Sequence, residues 1–310
     1  MNEIECLDKG FVRLVDHMGD DSSIVQAARV SYGEGTKTVS EDSTLIRYLM
    51  RHEHTSPFEM VEFKFHCKMP IFVARQMIRH RTANVNEISG RYSEMPNDFY
   101  VPEDSVFTKQ NPSNKQGGTN EVIKLETAKN IGDWVEWECL GDTPEEGASM
   151  YDTEETPWSW ANEFKNEQEL TRKNYERWLG TGVRRELARI NLPLSQYTEW
   201  YWKMDLRNLL HFLKLRLDEH AQWEMRVYAE AIAELIKPIV PVTYQAFEDY
   251  ILNSVTLSKT ELDCLRNQIF SRVKPDETGL IDIMLSVRES VPNKREQDEF
   301  LDKLKKMLVI

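Results

Sequence analysis

The densest run of chemically capable side chains is RHRTANVNEISGRYS, Arg79 to Ser93, where Arg79, Arg81 and Arg91 share a short segment with Glu87, several amides and hydroxyls, and Gly90. Such a string is hard to explain as packing. Guanidinium forks and backbone N–H groups clamp phosphate or carboxylate. Glu87 can hold an amide or a ribose hydroxyl, Ser89 can donate to a phosphate or base, and Gly90 lets the backbone come close to a ligand. Just upstream, Gln76, Arg79 and His80 stand three and four residues apart, a spacing that on a helix lets them serve one site. Arg184, Arg185 and Arg189 form a second cationic cluster. The chemistry these residues suit is recognition of a small anionic ligand. Its plain rival is surface salt bridging, and before any longer motif is considered the two stand about even.

Composition narrows the class. With 310 residues, 40% hydrophobic content and a formal net charge of -13, the chain suits a soluble globular enzyme rather than a general nucleic-acid binder, which needs a broad basic surface. Apolar runs such as Ile71 to Ala74 are too short to cross a bilayer, and MNEIECLDKG lacks a basic region followed by an apolar stretch, so a cytoplasmic location with no membrane association is expected. Cys6, Cys67, Cys139 and Cys264 form no CxxC pair and suit a reducing compartment as packing residues.

The elements that must position these residues are legible in part. Phe11 to Val15 reads as a strand and Ser22 to Val30 as a helix with Asp21 or Ser22 near its cap. Ser40 can cap a second helix, whose apolar face is Leu45, Ile46, Leu49 and Met50. Val61 to Cys67 alternates as a half-buried strand, after which Pro70 opens a helix that runs from Ile71 to Arg81. From about Pro102 to Asn166 the chain turns polar, then acidic and Trp-rich, and reads as an insertion whose tryptophans (Trp134, Trp137, Trp158, Trp160) form a small core of their own. Glu167 to Leu179, Leu206 to Arg216 and Asp218 to Ile236 read as helices, the last ended before Pro238. From about Asn253 to Ile310 the chain is helical, charged and chemically plain.

Arg79, His80, Arg81 and, after seven residues, Ser89 resemble the signature of flavin-dependent thymidylate synthases, extended here by Asn86, Glu87, Gly90 and Arg91. The likeness continues in HEHTSPFE (His52 to Glu59), PIFVARQMIRHR (Pro70 to Arg81), RRELARINLPLSQYT (Arg184 to Thr198) and LRNLLHFLKLRLDEHAQWE (Leu206 to Glu224), and covers about Ile4 to Ile251. The resemblance implies an α+β fold with a mostly antiparallel sheet flanked by helices. It places the synthase domain at 1–252, with a family-atypical insertion at about 110–165, and a helical C-terminal extension at 253–310. It implies reductive methylation of dUMP to dTMP, with 5,10-methylenetetrahydrofolate as carbon donor, NADPH acting through FAD as hydride source, and no cysteine nucleophile. It implies a homotetramer with sites shared between subunits.

Carried over residue by residue, the resemblance assigns Thr55, Arg79, His80, Arg81, Glu87, Arg207, His211 and His220 to FAD. It assigns Gln76, Arg79, Glu87, Ser89, Gly90, Arg91, Arg189 and Arg216 to the nucleotide. Catalytic roles fall to Arg216, which sits against the uracil ring, to Ser89, and to His54, which lies by the flavin. Asn84 stands where a serine is common, and Asp205 and His211 stand where some members have flavin-contacting asparagines. Without the resemblance, Arg216 alone reads as a solvated helix residue and Ser89 as a cap or turn residue. The pair His52 and His54 hints at metal, but no HExxH motif or matching carboxylate pattern accompanies it. The rival functions are a nucleic-acid or modified-nucleotide binding protein whose basic strip contacts phosphate without catalysis, and a metal-dependent nucleotide phosphohydrolase.

Overall fold

The structure, a computed structural model, describes residues 2–30, 39–113, 115, 117–123, 159–265, 291 and 293–308. Trp134, Trp137, Trp158 and Cys139 lie outside the described residues, as does the side chain of Ser40. The chain divides into two compact units, Met1–Leu252 and Asn253–Ile310.

The first unit is α+β. Its five-stranded antiparallel sheet has the order β1-β2-β3-β7-β4, with β1 Glu3–Cys6, β2 Gly10–Met18, β3 Glu62–Pro70, β4 Asn84–Glu87 and β7 Tyr197–Asp205. A separate hairpin pairs β5 (Thr108–Gln110) with β6 (Gly118–Val122). The helices are α1 (Asp21–Arg29), α2 (Val39–Arg51), α3 (Ile71–Met77), α4 (Trp160–Gly180), α5 (Arg185–Ala188), α6 (Leu206–Arg216), α7 (Trp223–Ile236) and α8 (Pro241–Phe247). The second unit contains α9 (Lys259–Leu265) and α10 (Lys294–Leu308).

Alternation builds the central strands. Phe63, Phe65, Cys67 and Met69 on β3 and Trp200, Trp202 and Met204 on β7 are buried, while their neighbours along each strand point to the other face. Against that apolar face pack Leu209, Phe212 and Leu213 of α6 and Tyr228, Ile232 and Ile236 of α7. Each of these side chains contributes about 1.5 to 3 kcal/mol by leaving water, so together they anchor α6 far more firmly than any single surface contact does.

Several elements differ from the sequence expectations, each for a local reason. Asp20 caps α1, accepting from the Ser22 and Ser23 amides, and Ser23 reciprocates in a capping box. Asp21, expected near that cap, instead accepts from Val242 and Thr243 at the start of α8. Pro70 ends β3 opposite Tyr197 with extended backbone angles and precedes α3 instead of opening it. The helix itself stops at Met77, so Arg79, His80 and Arg81 lie in the turn that leads to β4, with Arg79 N–H on Gln76 O and His80 N–H on Met77 O. Residues 218–222 are a turn, because Asp218 accepts from the His220 backbone, and α7 begins only at Trp223. Of the insertion's tryptophans, Trp160 stacks on Phe107 with ring centroids 5.6 Å apart and donates Nε1–H to the Ile123 carbonyl.

Candidate functional site

β7 organises the first cluster. It pairs with β4 so that Glu87 faces Trp200 in register, and the Glu87 carboxylate accepts from Thr198 Oγ1 at 2.6 Å. Pairing extends one residue further, with Ile88 N–H donating to the Glu199 carbonyl. A tight turn follows: the Ser89 carbonyl accepts from the Tyr92 and Ser93 amides, and its hydroxyl accepts from the Arg91 amide at 3.3 Å. Gly90 is buried in that turn against Arg189 and Met95.

The second arginine block reaches the same place through α5. Glu186 pairs with Arg184 at 3.0 Å and Arg91 at 3.4 Å, and Arg185 donates to the Tyr92 carbonyl. Both earlier explanations of the arginines therefore hold for different residues. Arg91 and Arg184 are in surface ion pairs, while Arg79, Arg81 and Arg189 have no acidic partner among the described residues. Cations left without counter-ions next to backbone turns are suited to an anionic ligand.

A second cluster forms where the turn after α3 meets α6. Arg216 Nε donates to His80 Nε2 at 3.2 Å. The His80 ring stands edge-on to Phe212, 4.9 Å between centroids, and 6.2 Å from His211. Burial first, and then the neighbouring Arg216 and His211, pull His80 down to about 4, so its imidazole is neutral at physiological pH. Burial also lowers Arg216 from its ordinary value. Arg216 occupies the last turn of α6, where the helix dipole favours a cation. Nearby, the Gln76 amide donates to Gln222.

A cleft of about 720 Å³ opens beside the C-terminus of α1. Val30, Leu49, Pro57 and Met60 give it apolar walls, and Arg29, His54 and Ser56 bring polar atoms to it. The volume is within the range of small-molecule sites. Arg29 is buried and pairs through Nη2 with Asp42 at 2.6 Å, while its Nη1 has no partner among the described residues. Thr55 is exposed and is not part of the cleft wall; its neighbour Ser56 is. Arg207 donates to Asn208, and His220 pairs with Asp218, so these two are engaged locally. Asp205, one of the departures noted above, caps α6 by accepting from the Asn208 amide at 2.9 Å.

Sequence reasoning missed Thr198, Glu186, Arg29 and Ser56. Thr198 had a signal in the alternation of YTEWYWKMD, and Arg29 had one in its position four residues after Val25 on the buried stripe of α1. Ser56 and Glu186 had none beyond their neighbours.

Residues 13–242 match the family described as Thymidylate synthase complementing protein. A flavin-dependent thymidylate synthase of Thermus thermophilus is 53% identical over 270 residues, 87% of each chain. The chain belongs to the flavin-dependent thymidylate synthase family. A relative of the same name from Ehrlichia ruminantium is 46% identical over 303 residues, covering 97% of this chain and 88% of its own, so that alignment takes in nearly all of the insertion and tail. Among solved structures, a UMP/dUMP methylase from Streptomyces cacaoi bound with 5-Br dUMP is similar at a TM-score of 0.63 and 29% identity, over 81% of this chain and 100% of its own. This family member is thus an enzyme of the methyltransferase class. The matched stretch contains both clusters, the cleft and every site residue expected from the sequence.

Proposed function

We propose that the protein converts dUMP to dTMP, with 5,10-methylenetetrahydrofolate as carbon donor and NADPH as the hydride source through FAD. The observation that carries this reading is the meeting of the Ser89–Arg91 turn with the Glu186–Arg189 segment, through Gly90 on Arg189 and Arg91 on Glu186, where Arg189 is a cation without an acidic partner among the described residues. That arrangement suits a nucleotide monophosphate. Arg189, Arg91 and the Ser89 turn hold the phosphate, Gln76 and Arg79 also bind the nucleotide, and Glu87, one oxygen of which is held by Thr198, takes a ribose or base N–H or O–H.

The residues present also fit FAD. The cleft by His54 offers apolar walls to a flat ring. Arg79, His80 and Arg81, with Thr55, Glu87, Arg207, His211 and His220, would hold the cofactor. When bound, FAD supplies the hydride chemistry that no side chain has. The chain's own part is electrostatic: Arg216 lies against the pyrimidine and stabilises negative charge that develops as C5 becomes nucleophilic, Ser89 orients the nucleotide, and His54 lines the flavin pocket. No thiolate is required. Burial pushes Cys6 up to about 12 and Cys67 higher still, which suits packing rather than nucleophilic attack.

The protein works as a cytoplasmic homotetramer whose sites are completed between subunits. Residues 1–252 carry the activity and 253–310 extend it. The purified protein should be yellow with a flavin spectrum and should form dTMP from dUMP, folate and NADPH. A colourless protein that takes up no added FAD would overturn this reading, and loss of activity with chelator would favour a metal-dependent phosphohydrolase.

A further inference from the structure

We propose that His80 is the positioning residue for Arg216: its neutral imidazole accepts the Arg216 Nε–H and so fixes the direction in which the two Nη groups point. This rests on the reading that Arg216 acts on the pyrimidine. A guanidinium at the end of a helix swings about its last side-chain bonds unless one of its edges is held. Here the Nε edge is held, at 3.2 Å from His80 Nε2, and the Nη edge remains available.

The choice of a histidine has a chemical consequence. A carboxylate on the same edge would hold Arg216 as well, but it would also neutralise the charge that the reaction uses. A neutral imidazole holds the geometry and leaves the cation's field intact. The imidazole is itself fixed. Its backbone N–H is bonded to Met77 O at 3.1 Å, and its ring stands edge-on against Phe212, a fully buried residue of α6. The groups that act on it electrostatically are Arg216 and His211, both of α6, while Arg79 and Arg81 flank it along the chain. Burial, Arg216 and His211 all oppose a proton on His80 and keep the Nε2 lone pair available.

Two replacements separate acceptance from packing. His80→Gln keeps an acceptor near the place of Nε2, and His80→Leu keeps bulk without one. With FAD added to saturation, turnover of dUMP is expected to be several times higher in His80→Gln than in His80→Leu, because only the former keeps an acceptor for the Arg216 Nε–H. His80→Leu is expected to lose about tenfold to a hundredfold in kcat, the scale of a misplaced catalytic group, with the KM for dUMP nearly unchanged. Equal turnover in the two variants would overturn the proposal. A second measurement needs neither flavin nor activity: phenylglyoxal labelling of Arg216 in the purified full-length chain, read by peptide mass. Labelling should be several times faster in His80→Leu than in the wild type or His80→Gln, and identical rates in all three would sink the pairing. Should the wild type form no dTMP, the proposed function fails, while the labelling series still decides whether His80 holds Arg216.

Discussion

Gly90 packs directly on Arg189: a methyl group on its Cα would stand 2.9 Å from Arg189 Cδ, 3.1 Å from Nη1 and 2.7 Å from Met95 Sδ. Its backbone is outside the left-handed region, so the requirement for glycine comes from this contact and not from φ. Gly90→Ala must therefore displace the Arg189 and Met95 side chains, at an overpacking cost of about 1 to 3 kcal/mol. Because Arg189 is partly exposed and flexible, most of that cost should fall on ligand binding. Calorimetric titration is expected to give dUMP affinity weakened by about five- to a hundredfold, together with a melting temperature lower by a few degrees. Unchanged affinity with a lowered melting temperature would mean that the contact is packing alone.

Arg79 lies in the turn between α3 and β4, exposed and without an acidic partner among the described residues. One guanidinium there is expected to serve both ligands. Arg79→Ala should lower the flavin content of the purified protein and also weaken dUMP binding, by about tenfold for each if one charge-assisted hydrogen bond is lost to each ligand. A variant with normal FAD content and normal dUMP affinity would remove Arg79 from the site.

The cysteines are expected to be dispensable for chemistry. Cys6 and Cys67 are buried with thiols pushed up by desolvation, and Cys264 is exposed on α9 in the second unit. With Cys6, Cys67, Cys139 and Cys264 all replaced by Ala or Ser, the protein should melt several degrees lower, because two core side chains shrink, yet still form dTMP. If it folds and binds FAD but makes no product, and restoring one cysteine restores turnover, then a thiolate takes part.

What could be read in advance was whatever buries a periodic apolar face. β3 and α6 were legible because their core residues recur at two and at three to four residues, and the arginine blocks because cations cluster in them. β4 was not: NVNE is wholly exposed, and backbone pairing with β7 from Lys203 to Trp200 holds it without any apolar signal. β7 does alternate, but its first residues belong to a block that also reads as a ligand motif, and the two signals overlap. Asp20 caps α1 while Asp21 bonds the start of α8, a contact between residues more than two hundred apart that the local sequence does not signal. The pairing of Arg216 with His80 was likewise out of reach, since nothing in either segment names the other.

His80 also gives the fold a defined pH dependence. Its folded value is about 4 against 6.5 for a free histidine. Between those values the unfolded chain takes up a proton that the folded chain refuses, so this group makes stability fall as pH drops from 6.5 toward 4 and rise as pH increases across the same window. His80→Gln lacks the titration. Urea unfolding from pH 7 to pH 4.5 should therefore yield a flatter stability curve for the variant than for the wild type. Parallel curves would show that His80 is protonated equally in both states.

Arg216 is the residue on which the chemical reading turns. It is placed by three independent features: the buried stripe of Leu209, Phe212 and Leu213 that anchors α6, the end of that helix, and the acceptor at His80. A cation fixed in this way beside a pyrimidine carbonyl stabilises charge that exists only as C5 attacks, and loss of one such donor costs about 3 to 4 kcal/mol in the barrier. Lysine keeps the charge but has neither the Nε–H that His80 accepts nor the planar fork. Arg216→Lys should therefore retain FAD and oxidise NADPH in the absence of folate, while dTMP formation at saturating dUMP falls by about a hundredfold or more. The comparison to make is kcat against KM. A variant that turned over normally at saturation but bound dUMP weakly would assign Arg216 to uniform binding. The activating charge would then have to come from another cation, and Arg91, whose side chain pairs with Glu186 at 3.4 Å at the surface, is the next to change.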